Sequence, residues 1–140
     1  MNIADDLKEK WLQLSSRGQA GLIEAFSIRI TNIDHGCTEA TMPLTSAVKQ
    51  PFGLLHGGAS VALAETVASL GSWMLIDPAH QQAVGLEINA NHIRSVKSGS
   101  VHAKATILHY GSNTHVWQID IRDDDERLIC TSRCTTAILS

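Results

Sequence analysis

The sequence predicts a single α+β domain in which a curled antiparallel sheet wraps one long buried helix. Three observations lead there. The run from Gly57 to Ile76 is almost wholly small or apolar and carries one ionisable side chain, Glu65; a helix of this kind is surrounded by protein on most sides. Four runs of alternating apolar and polar residues follow it, as half-buried strands do. Their joints are short, which favours antiparallel neighbours. A length of 140 residues suits one domain with a core of its own.

In chain order, Ile3, Leu7, Trp11 and Leu14 recur at helical spacing. Residues 3–14 therefore read as a short amphipathic helix, broken at Arg17-Gly18, which packs over the domain edge or covers part of a pocket. Residues 24–34 and 37–43 read as two strands, with Phe26, Ile28 and Ile30 alternating with polar residues and a turn at Asp34-His35-Gly36. Pro43 and Pro51 bracket a loop that holds Lys49 and Gln50. The long helix starts at Gly57 and stops at Asp77-Pro78-Ala79-His80. The strands after it centre on Val84 to Ala90, Val101 to Ile107, Trp117 to Ile121 and Leu128 to Leu139. Their joints are Lys97 to Ser100, Tyr110 to Asn113 and Asp123 to Glu126.

Composition removes several function classes. A net charge of −3 and a pI near 6.1 leave no basic footprint for nucleic acid. With 4% aromatic residues, a surface for stacking bases is not expected. The N-terminus lacks the basic start and apolar core of a secretory signal. The long helix contains Ser60, Glu65, Thr66, Ser69 and Ser72 and precedes strands, so it reads as a buried helix of a cytoplasmic protein rather than a membrane span. Cys37, Cys130 and Cys134 are an odd set without metal-type spacing and read as small buried thiols in a reducing compartment. The seven histidines are scattered without ligand spacing, and no phosphate-loop lysine or dinucleotide glycine fingerprint occurs. No metal and no cofactor are expected.

The chemistry gathers at the helix. A carboxylate inside an apolar helix is costly unless paired, hydrogen-bonded or neutral. Glu65 either reaches a solvent gap or a neighbouring donor, or is desolvated for chemistry. Gly57 and Gly58 put bare backbone at the helix N-terminus, where unpaired N–H groups and the positive end of the macrodipole stabilise an oxyanion. His56 sits at the rim. Nine residues separate it from Glu65, about half a turn in angle and about 13 Å along the axis. If both serve one site, two chains each lend half, and a twofold dimer holds two equal sites. Ser69, four residues after Glu65, shares its face. No Gly-x-Ser-x-Gly elbow occurs, so a serine hydrolase triad is not expected.

The segment Gln50 to Ser69 closely resembles the hotdog-fold acyl-CoA thioesterases. The likeness continues in Val84 to Ser95, Val116 to Asp120 and Ser132 to Leu139, and covers roughly residues 22 to 139. Within the family it is nearest the subgroup that acts on aryl thioesters of menaquinone and enterobactin synthesis. The resemblance implies the hotdog fold and hydrolysis of an acyl-CoA thioester, with 1,4-dihydroxy-2-naphthoyl-CoA the first candidate. It implies that Gln50 donates a hydrogen bond near the thioester and that the carbonyl oxygen accepts the Gly57 N–H. His56 helps to position that carbonyl. Glu65 of the opposing subunit acts as nucleophile or general base, and Ser69 orients Glu65 or a water. CoA would pass Gly85, His92, Ile93, Arg94 and Ser95, and the turn formed by His109, Tyr110, Gly111, Ser112, Asn113 and Thr114. Read from the residues alone, these stretches are a polar strand end and an ordinary hairpin, although Arg, His and a glycine turn suit phosphate oxygens. Ala62, Val67 and Ala68 would form part of the acyl pocket, and two dimers would pair into a homotetramer. Other readings are a broad-specificity acyl-CoA or aryl carrier protein thioesterase, a hydratase on the same fold, and a non-catalytic acyl-CoA binding module.

Overall fold

The computed structural model describes residues 1–18 and 20–140. Seven strands form one sheet: β1 (Asn2–Ile3), β2 (Arg29–Asp34), β3 (Cys37–Pro43), β4 (Gln82–His92), β5 (Ser100–Tyr110), β6 (Thr114–Asp123) and β7 (Leu128–Leu139). Their spatial order is β1-β2-β3-β5-β6-β7-β4. Every pairing is antiparallel except the short parallel contact of β1 with β2. The helices are α1 (Lys8–Ser15), the single turn α2 (Leu22–Ala25) and α3 (Gly57–Leu75). The sheet curls around α3, which is the hotdog arrangement.

The alternation in the strands is what seats the helix. Val101, Ala103 and Ala105 of β5, Trp117, Ile119 and Ile121 of β6, and Cys130 and Cys134 of β7 point inward and are buried. Lys104, Gln118, Asp120 and Arg133 occupy alternate positions that stay accessible to solvent. From α3, Ala59, Leu63, Ala64, Val67 and Ala68 meet this inner face. Small residues let the sheet approach closely. A side chain at Gly71 would stand 2.5 Å from the Trp117 ring and 2.9 Å from the Thr38 hydroxyl, so the indole fills the place a larger residue would take.

Three expectations need correction. The N-terminal stretch is not one helix over residues 3–14. Asn2 and Ile3 pair with β2, Asp5 to Leu7 form a 3-10 turn, and α1 starts only at Lys8. The backbone of β2 offers Ala4 a partner, Ile33 O at 2.9 Å, and Leu7 is the buried anchor of the segment. Residues 24–28 are not strand: α2 ends at Ala25, and Ser27 turns the chain at φ 55 before β2 begins at Arg29. Ile28 is buried and Phe26 packs on the core from this turn, so the apolar spacing reflects contact rather than a pleat. Finally, β4 and β5 are joined by few residues yet are not neighbours. β4 pairs with β7 at the far side of the sheet, about 14 Å from β5 at the spacing of adjacent strands. Residues 93–99 bridge that distance, with Val96 buried and its carbonyl accepting the Leu55 N–H at 2.9 Å.

Candidate active site

The loop before α3 is built by backbone bonds. Lys49 and Leu55 pair across it, the Gln50 N–H donates to Leu54 O at 2.8 Å, and Gly53 turns the chain at φ +81. The side-chain carbonyl of Gln50 accepts the Phe52 N–H at 2.5 Å, which leaves its amide nitrogen as a donor. His56 is the N-cap of α3, and its Nδ1 accepts the Gly58 N–H at 2.8 Å. In the neutral ring that bond places the proton on Nε2, so His56 presents a donor outward. The N–H groups of Ala59 and Ser60 both reach His56 O. Gly57 thus carries the first-turn N–H that these bonds leave open. The His92 imidazole lies over Gly57, where a side chain would come within 2.8 Å of its Nε2.

Glu65 lies eight residues further along α3, about 12 Å down the axis. It is half-buried, and its carboxylate rests against Gly85 of β4, where a Cβ would collide with Oε1. Its charge is felt at Cys134, whose thiol is pushed up to about 12 by burial and then by the negative charges of Glu65 and Glu87. Glu65, Ser69, Thr66 and Ala62 line one side of a cavity of about 620 Å³, and Trp11, Leu14, Ile23, Ile30, Leu70 and Trp73 enclose much of the rest. Val67 and Ala68 do not join this wall: they sit half a turn round the helix and are fully buried against the sheet. A groove of about 670 Å³ on the outer sheet face, between Glu39, Lys104, Gln118 and Asp120, holds none of the predicted residues.

A single chain therefore places Gln50, His56 and Gly57 at one end of α3 and Glu65 with Ser69 on another face midway along it. The two stretches assigned to CoA also stand apart. His92 is in register with Cys130 of β7, whereas Thr114 is in register with Ala137. Seven residues of strand, about 23 Å, separate these positions. Ile93, Arg94 and Ser95 continue from His92 and are exposed. His109, Tyr110, Ser112 and Asn113 are exposed at the opposite end, where Tyr110 OH donates to Leu75 O at 3.3 Å and Gly111 N–H to Thr114 O at 3.0 Å. Among the described residues, no group of three His, Cys, Asp or Glu is placed to hold a metal ion. No helix there is long and apolar enough to cross a membrane.

One polar cluster escaped the sequence reading. Ser72 Oγ receives the Trp117 indole N–H at 2.8 Å and lies 2.7 Å from Thr136 Oγ1 and 3.0 Å from His115 Nδ1. Ser72, Trp117, His115 and Thr136 are buried. Burial, then the nearby His109, holds the His115 imidazole below its ordinary value of 6.5. A signal was present: His115 has the parity of inward-facing Trp117.

A single helix cradled in one curled antiparallel sheet is the architecture of the hotdog-fold thioesterases. The sequence matches the Thioesterase superfamily over residues 52–130. It is 49% identical to the 1,4-dihydroxy-2-naphthoyl-CoA hydrolase of Escherichia coli, covering 90% of this chain and 92% of that protein. It is 40% identical to the proofreading thioesterase EntH of Klebsiella pneumoniae, covering 90% and 91%. The crystal structure of a mutant thioesterase from Pseudomonas aeruginosa superposes with a TM-score of 0.86 at 42% identity, covering 91% of each chain. The chain belongs to the thioesterase superfamily and is a thioester hydrolase.

Proposed function

We propose that the chain hydrolyses aryl-CoA thioesters, with 1,4-dihydroxy-2-naphthoyl-CoA of menaquinone synthesis as its first substrate, at a site shared by two chains. The observation that carries the shared site is the split of polar groups along α3. Donors stand at its N-terminal end, the carboxylate stands mid-helix on another face, and the two CoA stretches lie about 23 Å apart along β7. A twofold axis beside β4 sets the N-terminal end of one α3 against the middle of the other. β4 is an eleven-residue edge strand that exposes Val84 and Leu86, an edge in need of a partner.

In this arrangement the thioester carbonyl oxygen accepts the Gly57 N–H, strengthened by the helix dipole, as negative charge grows on it. Gln50 and His56 donate N–H bonds that hold the acyl group. Glu65 of the other chain acts at the carbonyl carbon, directly or by taking a proton from water, and Ser69 orients it. Water's oxygen bonds to the carbonyl carbon, at once in the general-base route or by hydrolysing the Glu65 mixed anhydride in the nucleophilic route; the C–S bond breaks and the CoA thiolate takes the proton drawn from that water. Arg94 and His92 of one chain and the His109 to Thr114 turn of the other receive the nucleotide end. Three free cysteines fit a cytoplasmic enzyme; pairing of dimers into a tetramer follows from the family resemblance and is read by light scattering.

The test is thiol release across naphthoyl, benzoyl, phenylacetyl and fatty acyl thioesters of CoA, with Glu65→Gln beside wild type. Fast release from aryl members, lost in the folded variant, is expected. No release from any thioester, with CoA still bound, would leave an acyl-CoA binding module. Equal release from all would make the enzyme broad in specificity.

A further inference from the structure

We propose that the acyl group is selected inside one chain, where Trp11 and Trp73 clasp an aromatic, hydroxyl-bearing acyl group beneath a roof made by the N-terminal segment. The proposal rests on the thioesterase reading above and assigns the selective residues. Ala62, Thr66, Ser69 and Trp73 fall on one stripe of α3, and all line the 620 Å³ cavity that Glu65 also borders. An acyl group whose carbonyl carbon meets Glu65 extends along this stripe. Trp73 lies two turns on, about 12 Å from Glu65 along the axis. Trp11 and Leu14 of α1 and Ile23 of α2 close the opposite side.

Shape and chemistry favour a ring over a flexible chain. The floor is small at Ala62, and two indoles line the cavity, side chains that suit aromatic partners. Thr66 Oγ1 already donates to Ala62 O at 2.7 Å, so the hydroxyl is left to accept a hydrogen bond, as from a phenol. The cavity volume lies within the range of about 300–1,000 Å³ typical of small-molecule sites.

The roof packs on the core from outside, with Trp11 and Leu14 against one cluster and Ile23 against the other. Neither α1 nor α2 has a fully buried residue. Lys10 Nζ ties α1 to the C-terminal end of α3, donating to Met74 O at 2.9 Å and Ile76 O at 2.5 Å. Leu7 anchors the segment with Ile33, Leu70 and Met74.

The experiment uses the full chain and two non-hydrolysable CoA thioethers, naphthylmethyl and butyl, with binding read by calorimetry and by tryptophan fluorescence. The naphthylmethyl probe should quench wild-type fluorescence, and the quench should shrink in Trp11→Phe and Trp73→Phe. Trp11→Ala should weaken the naphthylmethyl probe by about tenfold while leaving the butyl probe unchanged. Should Trp11→Ala unfold, Ala62→Leu reads the same cavity from its floor and should reject the naphthylmethyl probe alone. Equal losses for both probes, or no change for the aryl one, would overturn the proposal. Aryl-selective binding by a protein that cleaves no thioester would support the clasp and remove the substrate assignment instead.

Discussion

Replacing Gly85 with alanine moves Glu65 without altering its chemistry. The added Cβ would overlap Glu65 Oε1 and stand 3.4 Å from its carboxyl carbon. Restoring ordinary contact, near 3.5 Å between heavy atoms, requires the carboxylate to shift by about 1 Å. A misplacement of about 1 Å can cost about 100-fold in rate, which is about 2.7 kcal/mol on the barrier. Gly85 does not have the positive φ that only glycine tolerates well. Alanine in a strand is, by propensity, about 0.5–1 kcal/mol better than glycine, so the fold should not suffer. Gly85→Ala should thus keep its melting temperature while kcat for an aryl-CoA falls about 100-fold. Thiol release at saturating substrate and a thermal melt on the same sample read both quantities. Wild-type turnover would show that β4 yields instead of the carboxylate, and the reasoning that Gly85 positions Glu65 would fail.

Other perturbations test separate parts. His56→Ala should lose the N-cap, about 1 kcal/mol by urea denaturation; His56→Asn should restore that stability but not the rate, if the outward Nε2–H is what the site uses. Gly71→Ala forces a Cβ against the Trp117 ring and should lower stability by about 1–3 kcal/mol in the same measurement. His115 is held below its ordinary 6.5, so unfolded chains take up this proton first as pH falls. Its contribution is fully present above about pH 6.5 and is lost as pH falls toward the folded value. His115→Asn should flatten the fall in urea midpoint between pH 7.5 and 5, which are about one unit or more either side of that ordinary value. Burial raises the thiols of Cys130 and Cys37, and raises Cys134 to about 12. A thiol reagent at neutral pH should therefore react slowly with the native protein and rapidly with all three once unfolded.

The strands β5, β6 and β7 and the helix α3 were legible because each keeps its own period over most of its length, with β5 alternating from Val101 to Ile107 before its bulge. The polar groups around α3 were legible too, because charge is rare in that stretch: Glu65, His56 and the glycine pair stand out against it. Partner choice was not legible. Nothing local in β4 says that it lies beside β7, since its joint to β5 is short enough for a hairpin and long enough for a crossing. The N-terminal segment misled for a related reason. Ile3 and Leu7 keep helical spacing, but Ile3 finds a strand to pair with and Leu7 sits in a 3-10 turn. Gly85 was read as a substrate contact; its closeness to Glu65 depends on which side of the sheet β4 takes, a fact held by the whole fold.

That position of β4 also sets an order of assembly. The strand is complete at residue 92, yet its pairing partner is β7, which starts only at Leu128. While the chain is being made, β2, β3, β5 and β6 can line up as soon as they emerge. β4 must wait with an uncovered edge, and α3 waits with one flank bare. Long-range pairing of this kind is slow, and it leaves apolar surface open to aggregation until it closes. The wall against which Glu65 rests thus closes only once β7 has emerged, so a chain that already carries α3 and β4 still lacks it.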